Sequence, residues 1–207
     1  MKRVVTILVL LFPFIALAQN EANEVKKCFG YYRDAILQDR GGDAVNFVDS
    51  KTIAYYNEVM QHVRSDDSIK LQNLALFDRL MVLSVRHQLS KKDLQGKDGK
   101  GLFTLSIQKG LISKASLQGT DLGDITVDKN TARGQMLVNN NKTPVFMNFY
   151  KENNVWKINI TSTFEQTTHS IQRMLKRSQK PENEFLMTLL KSANNIEPTR
   201  NIWKPLL

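Results

Sequence analysis

Between Ile112 and Thr161 the apolar residues recur at every second position, and short clusters of Asn, Asp, Lys and Gly interrupt them. Side chains alternate across a strand, and strands joined only by tight turns pair antiparallel with their sequence neighbours. Ala115 and Leu117 mark a first expected strand, and Ile125 and Val127 a second. Asp128-Lys129-Asn130 is a turn, 132–138 a strand, Asn139-Asn140-Asn141-Lys142 a turn and 145–150 a strand. Glu152-Asn153-Asn154 turns the chain again, and Trp156, Ile158 and Ile160 then alternate with Lys157, Asn159 and Thr161. One face of this meander is apolar and the other mixed, as in a sheet covered on one side by helices.

The rest of the chain has helical periodicity. Over 20–38, Val25, Cys28, Phe29, Tyr32 and Ile36 share one face. Gly41-Gly42 is expected to end this helix, with Asp43 opening the next turn. A second helix is expected over 50–63. A third, over 68–89, gathers Gln72, Arg79, Arg86 and Ser90 into one polar stripe and is apolar over most of its remaining circumference. So little polar surface makes it central to the fold. Lys-rich 91–100 reads as a loop. Residues 102–109 fit a strand or a helix, and a cap at Asp98 with a stop at Gly110 favours the helix. Two further helices, 165–177 and 182–192, break near Pro181, and a tail from Pro198 carries Ile202 and Trp203.

The N-terminus reads as an address. Lys2 and Arg3 precede an apolar run over 4–17, and Ala16-Leu17-Ala18 has the small-residue form of a cleavage site. The run is shorter than the ~20 residues that span a bilayer. A signal peptide over 1–18, cut after Ala18, is therefore expected, with a periplasmic or secreted product and no membrane span once it is gone. The formal charge of +9 falls by two with Lys2 and Arg3. Outside the cytoplasm such an excess does not point to nucleic acid. The single cysteine, Cys28, forms no intramolecular disulfide and falls on the apolar face of the first helix, where a small apolar residue is buried.

Helices followed by a curved meander ending in a Trp strand make an α+β layout. Tyr31-Tyr32-Arg33-Asp34-Ala35-Ile36 and the hairpin Phe149-Tyr150-Lys151-Glu152-Asn153-Asn154-Val155-Trp156-Lys157-Ile158 carry a resemblance to the nuclear transport factor 2-like superfamily. Leu76-Phe77-Asp78-Arg79-Leu80-Met81 through Arg86-His87 is similar to a subgroup of uncharacterised bacterial secreted proteins with that fold. The resemblance covers about 25–163. It implies N-terminal helices packed on a curved antiparallel sheet, a cone, with extra C-terminal helices. The corresponding division is 1–18 signal peptide, 19–163 cone domain and 164–207 helical extension.

The resemblance also implies a cavity between sheet and helices. Some members are isomerases, dehydratases or cyclases, and many are non-catalytic. The isomerase type uses a first-helix tyrosine with acids inside the cone. Tyr32 fits the first position, but the inward strand candidates Ala132, Gly134, Met136, Val138, Val145, Met147 and Phe149 include no acid. Asp78, among Leu71, Leu74, Ala75, Val82 and Val85, is either a cavity acid-base group or a carboxylate held by a neighbouring Arg, Tyr or N–H. Tyr32, Tyr56, Asp78, Met136, Met147 and Phe149 are the ligand-binding candidates. His62, His87 and His169 lack paired spacing, so neither metal nor cofactor is expected. Arg173, Lys176, Arg177 and Lys180 form a basic helix face, either solvated or facing anionic partners. The Trp203 tail either pins the C-terminus or docks on a second subunit of a homodimer. The expected role is a non-catalytic exported domain that binds a small apolar ligand or an envelope protein. The alternatives are a lyase or isomerase using Asp78 and Tyr32, and an envelope assembly or inhibitory partner.

Overall fold

The structure is a computed structural model and describes residues 12–206, with side chains from Asn20 onward. Most of the expected signal peptide thus lies outside the described residues. Seven helices precede the sheet among the described residues: α1 (Phe12–Leu37), α2 (Gly41–Ala44), α3 (Ser50–Ser65), α4 (Ser68–Gln72), α5 (Leu76–Gln88), α6 (Lys91–Leu94) and α7 (Gly99–Gln108). Four strands follow: β1 (Thr120–Asp128), β2 (Thr131–Val138), β3 (Asn141–Glu152) and β4 (Val155–Asn159). Then come α8 (Phe164–Ser178) and α9 (Glu182–Asn194). The fold is α+β, with helices on both sequence sides of one antiparallel sheet.

The sheet runs β1-β2-β3-β4. Val127, Ala132, Phe149 and Ile158 lie across from one another in the register. Asn139-Asn140 and Asn153-Asn154 form two-residue hairpin turns with positive φ at both positions, where asparagine is favoured. Register shifts at Leu122/Ile125 and Gln135/Leu137 interrupt the ladder. Such bulges bend a strand. The inner face carries Leu122, Met136, Met147, Phe149 and Ile158, all buried in one core with the predicted face of α1. Val138, expected to point inward, is exposed at the end of β2.

Five other expectations are corrected. Residues 114–116 form a 3₁₀ turn where a strand was expected, because Ser116 Oγ and Thr120 Oγ1 donate to the carbonyls of Ser113 and Leu117. β4 stops at Asn159, whose side chain accepts from Ser162 N–H and starts another 3₁₀ turn. Within the expected loop 91–100, Ser90 and Asp93 form a reciprocal capping box that starts α6. α1 ends at Leu37, before Gly41: Asp39 takes positive φ while Arg40 N–H returns to Ala35 C=O. Gly41 instead permits a close approach, since a Cβ there would stand 2.4 Å from Thr104 C=O.

The expected third helix is two helices. Asp67 caps α4, and the chain breaks at 73–75 before α5. Of the polar stripe, Gln72 and Ser90 are exposed but Arg79 and Arg86 turn inward. Arg79, 7% exposed, donates to the freed carbonyls of Gln72 and Leu74 and pairs with Glu182 at 2.6 Å. Arg86, 5% exposed, donates to the carbonyls of His62, Val63 and Asp66 at the end of α3 and to Ile202 in the tail. The tail is pinned: Ile202 is buried and Leu206 N–H reaches Val63 C=O. A second polar knot joins α3 to β4. Buried Asp49 accepts from Thr52 N–H, Thr52 Oγ1 and Asn159 Nδ2 at 2.6–2.8 Å.

Candidate functional site

The interior candidates are packed as core. Tyr32 and Tyr56 are buried, and desolvation raises both well above the usual phenol range, with the nearby Tyr56 adding to the rise at Tyr32. The Tyr56 ring meets the Phe103 ring edge-on, centroids 5.0 Å apart. Met136, Met147 and Phe149 line the inner face of the sheet and are buried as well. Asp78 stands apart from this group. It is half-buried on α5 and accepts from the Tyr55 hydroxyl at 2.9 Å. The Tyr55 ring packs edge-on against Phe164, which also meets Phe77. Burial first, and then the facing Asp78 carboxylate, drives the Tyr55 hydroxyl far up, so it remains a donor. Asp78 therefore has the neighbouring tyrosine that the sequence left open as one of its fates.

An accessible feature lies outside the sheet, between α1 and the β3–β4 hairpin. It is an open groove of about 340 Å³. Helical spacing brings Glu21, Glu24, Lys27, Cys28 and Tyr31 of α1 to one of its sides. The tight Asn153-Asn154 turn presents Val155 and Trp156 opposite them. The Tyr31 ring stacks on Phe47, centroids 5.6 Å apart, yet is 58% exposed. Val155 is 51% exposed. Two large apolar side chains are thus solvated across one cleft, which costs hydrophobic free energy that an occupant would recover.

The charges of the groove are paired. Glu21 accepts from Lys151 Nζ at 2.7 Å and from Trp156 Nε1 at 2.7 Å. These two hydrogen bonds hold its carboxyl below the usual carboxylate range. Lys27 Nζ pairs with Glu24 at 2.8 Å. The Cys28 thiol donates to Trp156 C=O at 3.1 Å, and burial pushes it up to about 12. That is an inert thiol, kept protonated beneath the groove. A second depression of about 260 Å³ lies on the other side of Tyr31 and Phe47, with Arg40, Asp43 and Asn46 on its rim.

The chain matches no family model, no curated protein and no solved structure. Among the described residues there is no cluster of three metal-ligating side chains, and no helix is long and apolar enough to cross a membrane. Sequence reasoning passed over Tyr31 because it stands one position off the apolar face that Tyr32 joins. An aromatic residue on the polar side of an amphipathic helix was the available signal. Glu21 had no local signal, since both its partners lie some 130 residues away.

Proposed function

We propose that this chain is an exported, non-catalytic binding module that engages a protein partner through the groove between α1 and the β3–β4 hairpin. The observation that carries the reading is the joint exposure of Tyr31 and Val155 across that groove. Interfaces concentrate their energy in aromatic and aliphatic anchors surrounded by a polar rim, and the paired charges around Tyr31 supply such a rim. Packing in the interior favours a partner on the outside over an enclosed apolar ligand, since Tyr32, Tyr56, Met136 and Met147 fill that space as core. Export rests on the signal pattern over 1–18, and the nuclear transport factor 2-like resemblance belongs to the same proposal.

The test places a photo-crosslinking residue at Val155 in the producing cell and, as a control, at Ile69, which is 70% exposed elsewhere. A discrete adduct from position 155, absent from position 69 and lost with Tyr31→Ala, is expected in an envelope or secreted fraction whose chain begins at Gln19. Equal adducts from both positions, or none from 155, overturn the reading. So does a turnover abolished by Asp78→Asn.

A further inference from the structure

Arg173, Lys176 and Arg177 project from one side of α8 at i, i+3 and i+4 spacing, and Lys180 continues the row past the helix end. Ile171, the buried residue of α8, lies on the opposite side, so the row points away from the core. All four cations are exposed. Elsewhere several exposed cations pair with acids, as Lys26 with Asp121, Lys114 with Asp39, Lys142 with Asp124 and Lys191 with Glu197, while scattered ones such as Lys91, Lys129 and Lys204 have no ion pair among the described residues. The α8 row gathers such cations on one face. Among the described residues Arg173, Lys176 and Arg177 have no carboxylate partner; Arg173 donates to Ser170 Oγ, and Lys180 reaches Glu184 at 3.3 Å. The helix macrodipole favours cations in the last turn, which accounts for Lys176 and Arg177 but not for Arg173. Met174 borders the row and is 49% exposed.

We infer that this face of α8 docks on an anionic phospholipid surface. Charge complementarity selects the class of occupant, because a row of unpaired cations attracts dense negative charge. A folded acidic protein would need carboxylates at the spacing of the row. A fluid bilayer offers phosphates at any spacing, and its interface also accepts an apolar side chain such as Met174. The contact is peripheral, with the apolar side of α8 kept against the protein core. It uses a surface separate from the α1 groove and stands or falls independently of that site.

The test is sedimentation of the chain, as purified from its cell and with its N-terminus read by mass spectrometry, with lipid vesicles. One set contains about 30 mol % phosphatidylglycerol in phosphatidylcholine, and the other is phosphatidylcholine alone. Binding to the anionic set is expected, falling at least tenfold from about 50 to 300 mM salt. R173E/K176E/R177E should lose at least tenfold in binding with an unchanged melting temperature. If the triple variant does not fold, R177E alone should lose roughly three- to tenfold. Equal binding to both vesicle sets, no binding to the anionic set, or undiminished binding by a folded charge-reversed variant overturns the inference. Retention on a soluble polyanion without vesicle binding overturns it too.

Discussion

Glu21 holds the N-terminal half of α1 against the last hairpin through the Lys151 ammonium and the Trp156 indole. Its carboxyl is held below its ordinary value of 4.5 by the Lys151 hydrogen bond first and the Trp156 hydrogen bond second. A depressed carboxyl stabilises the fold above its unfolded value and loses that contribution as pH falls through the folded value. Glu21→Gln should therefore cost about 1 kcal/mol at neutral pH, a charge-assisted bond discounted because the group is partly exposed. The gap between variant and parent should close as urea titrations move into the acid range below 4.5. A gap that persists there would assign the loss to packing. At this scale the sequence was legible where a residue follows the local period. Cys28 and Tyr32 sit on the apolar stripe of α1 and are buried. It was illegible for Glu21 and Tyr31, whose roles come from residues brought near by the closing of the sheet.

Helices reveal a different limit. Hydrophobic periodicity located α1, α3, α8 and α9 and the last three strands, because each has one buried face, while α7 was legible only through its Asp98 cap. It joined α4 to α5, because periodicity records which residues are apolar and says little of where a backbone breaks. It also left the polar stripe without a direction. Arg86 faces inward because the end of α3 leaves the Val63 and Asp66 carbonyls without a helical N–H, and it also reaches His62 C=O, which already accepts from Asp66 N–H. One guanidinium has enough donors to close the α3 terminus and seize the tail together. Arg86→Leu should lower stability by about 3–5 kcal/mol, since four carbonyls lose the guanidinium at once and those of Asp66 and Ile202 lose the donor that holds them. The midpoint of urea unfolding measures this, and amide exchange should rise first at 62–66 and in the tail. A loss under about 1 kcal/mol would mean that water replaces the guanidinium.

As a whole, the molecule has one sheet with two edges, treated differently. The β4 edge is closed by the Cys28 thiol at Trp156 C=O and by Asp49 N–H at Ile158 C=O. The β1 edge carries Asp121, Asp124 and Asp128, and charge along an edge discourages pairing with another chain. Asp124→Val with Asp128→Val should make the protein associate as concentration rises, which light scattering would detect; a variant that stays monomeric would show that the bulge at 122–125 guards the edge unaided. The fastening of α1 also has a consequence in time. α1 completes its anchoring only when the β3–β4 hairpin emerges, since Glu21 waits for Lys151 and Trp156, and Cys28 for Trp156. Until then its apolar stripe lacks β4, part of the sheet it covers. An unfinished chain therefore carries an incompletely covered apolar stripe until Trp156 has been made.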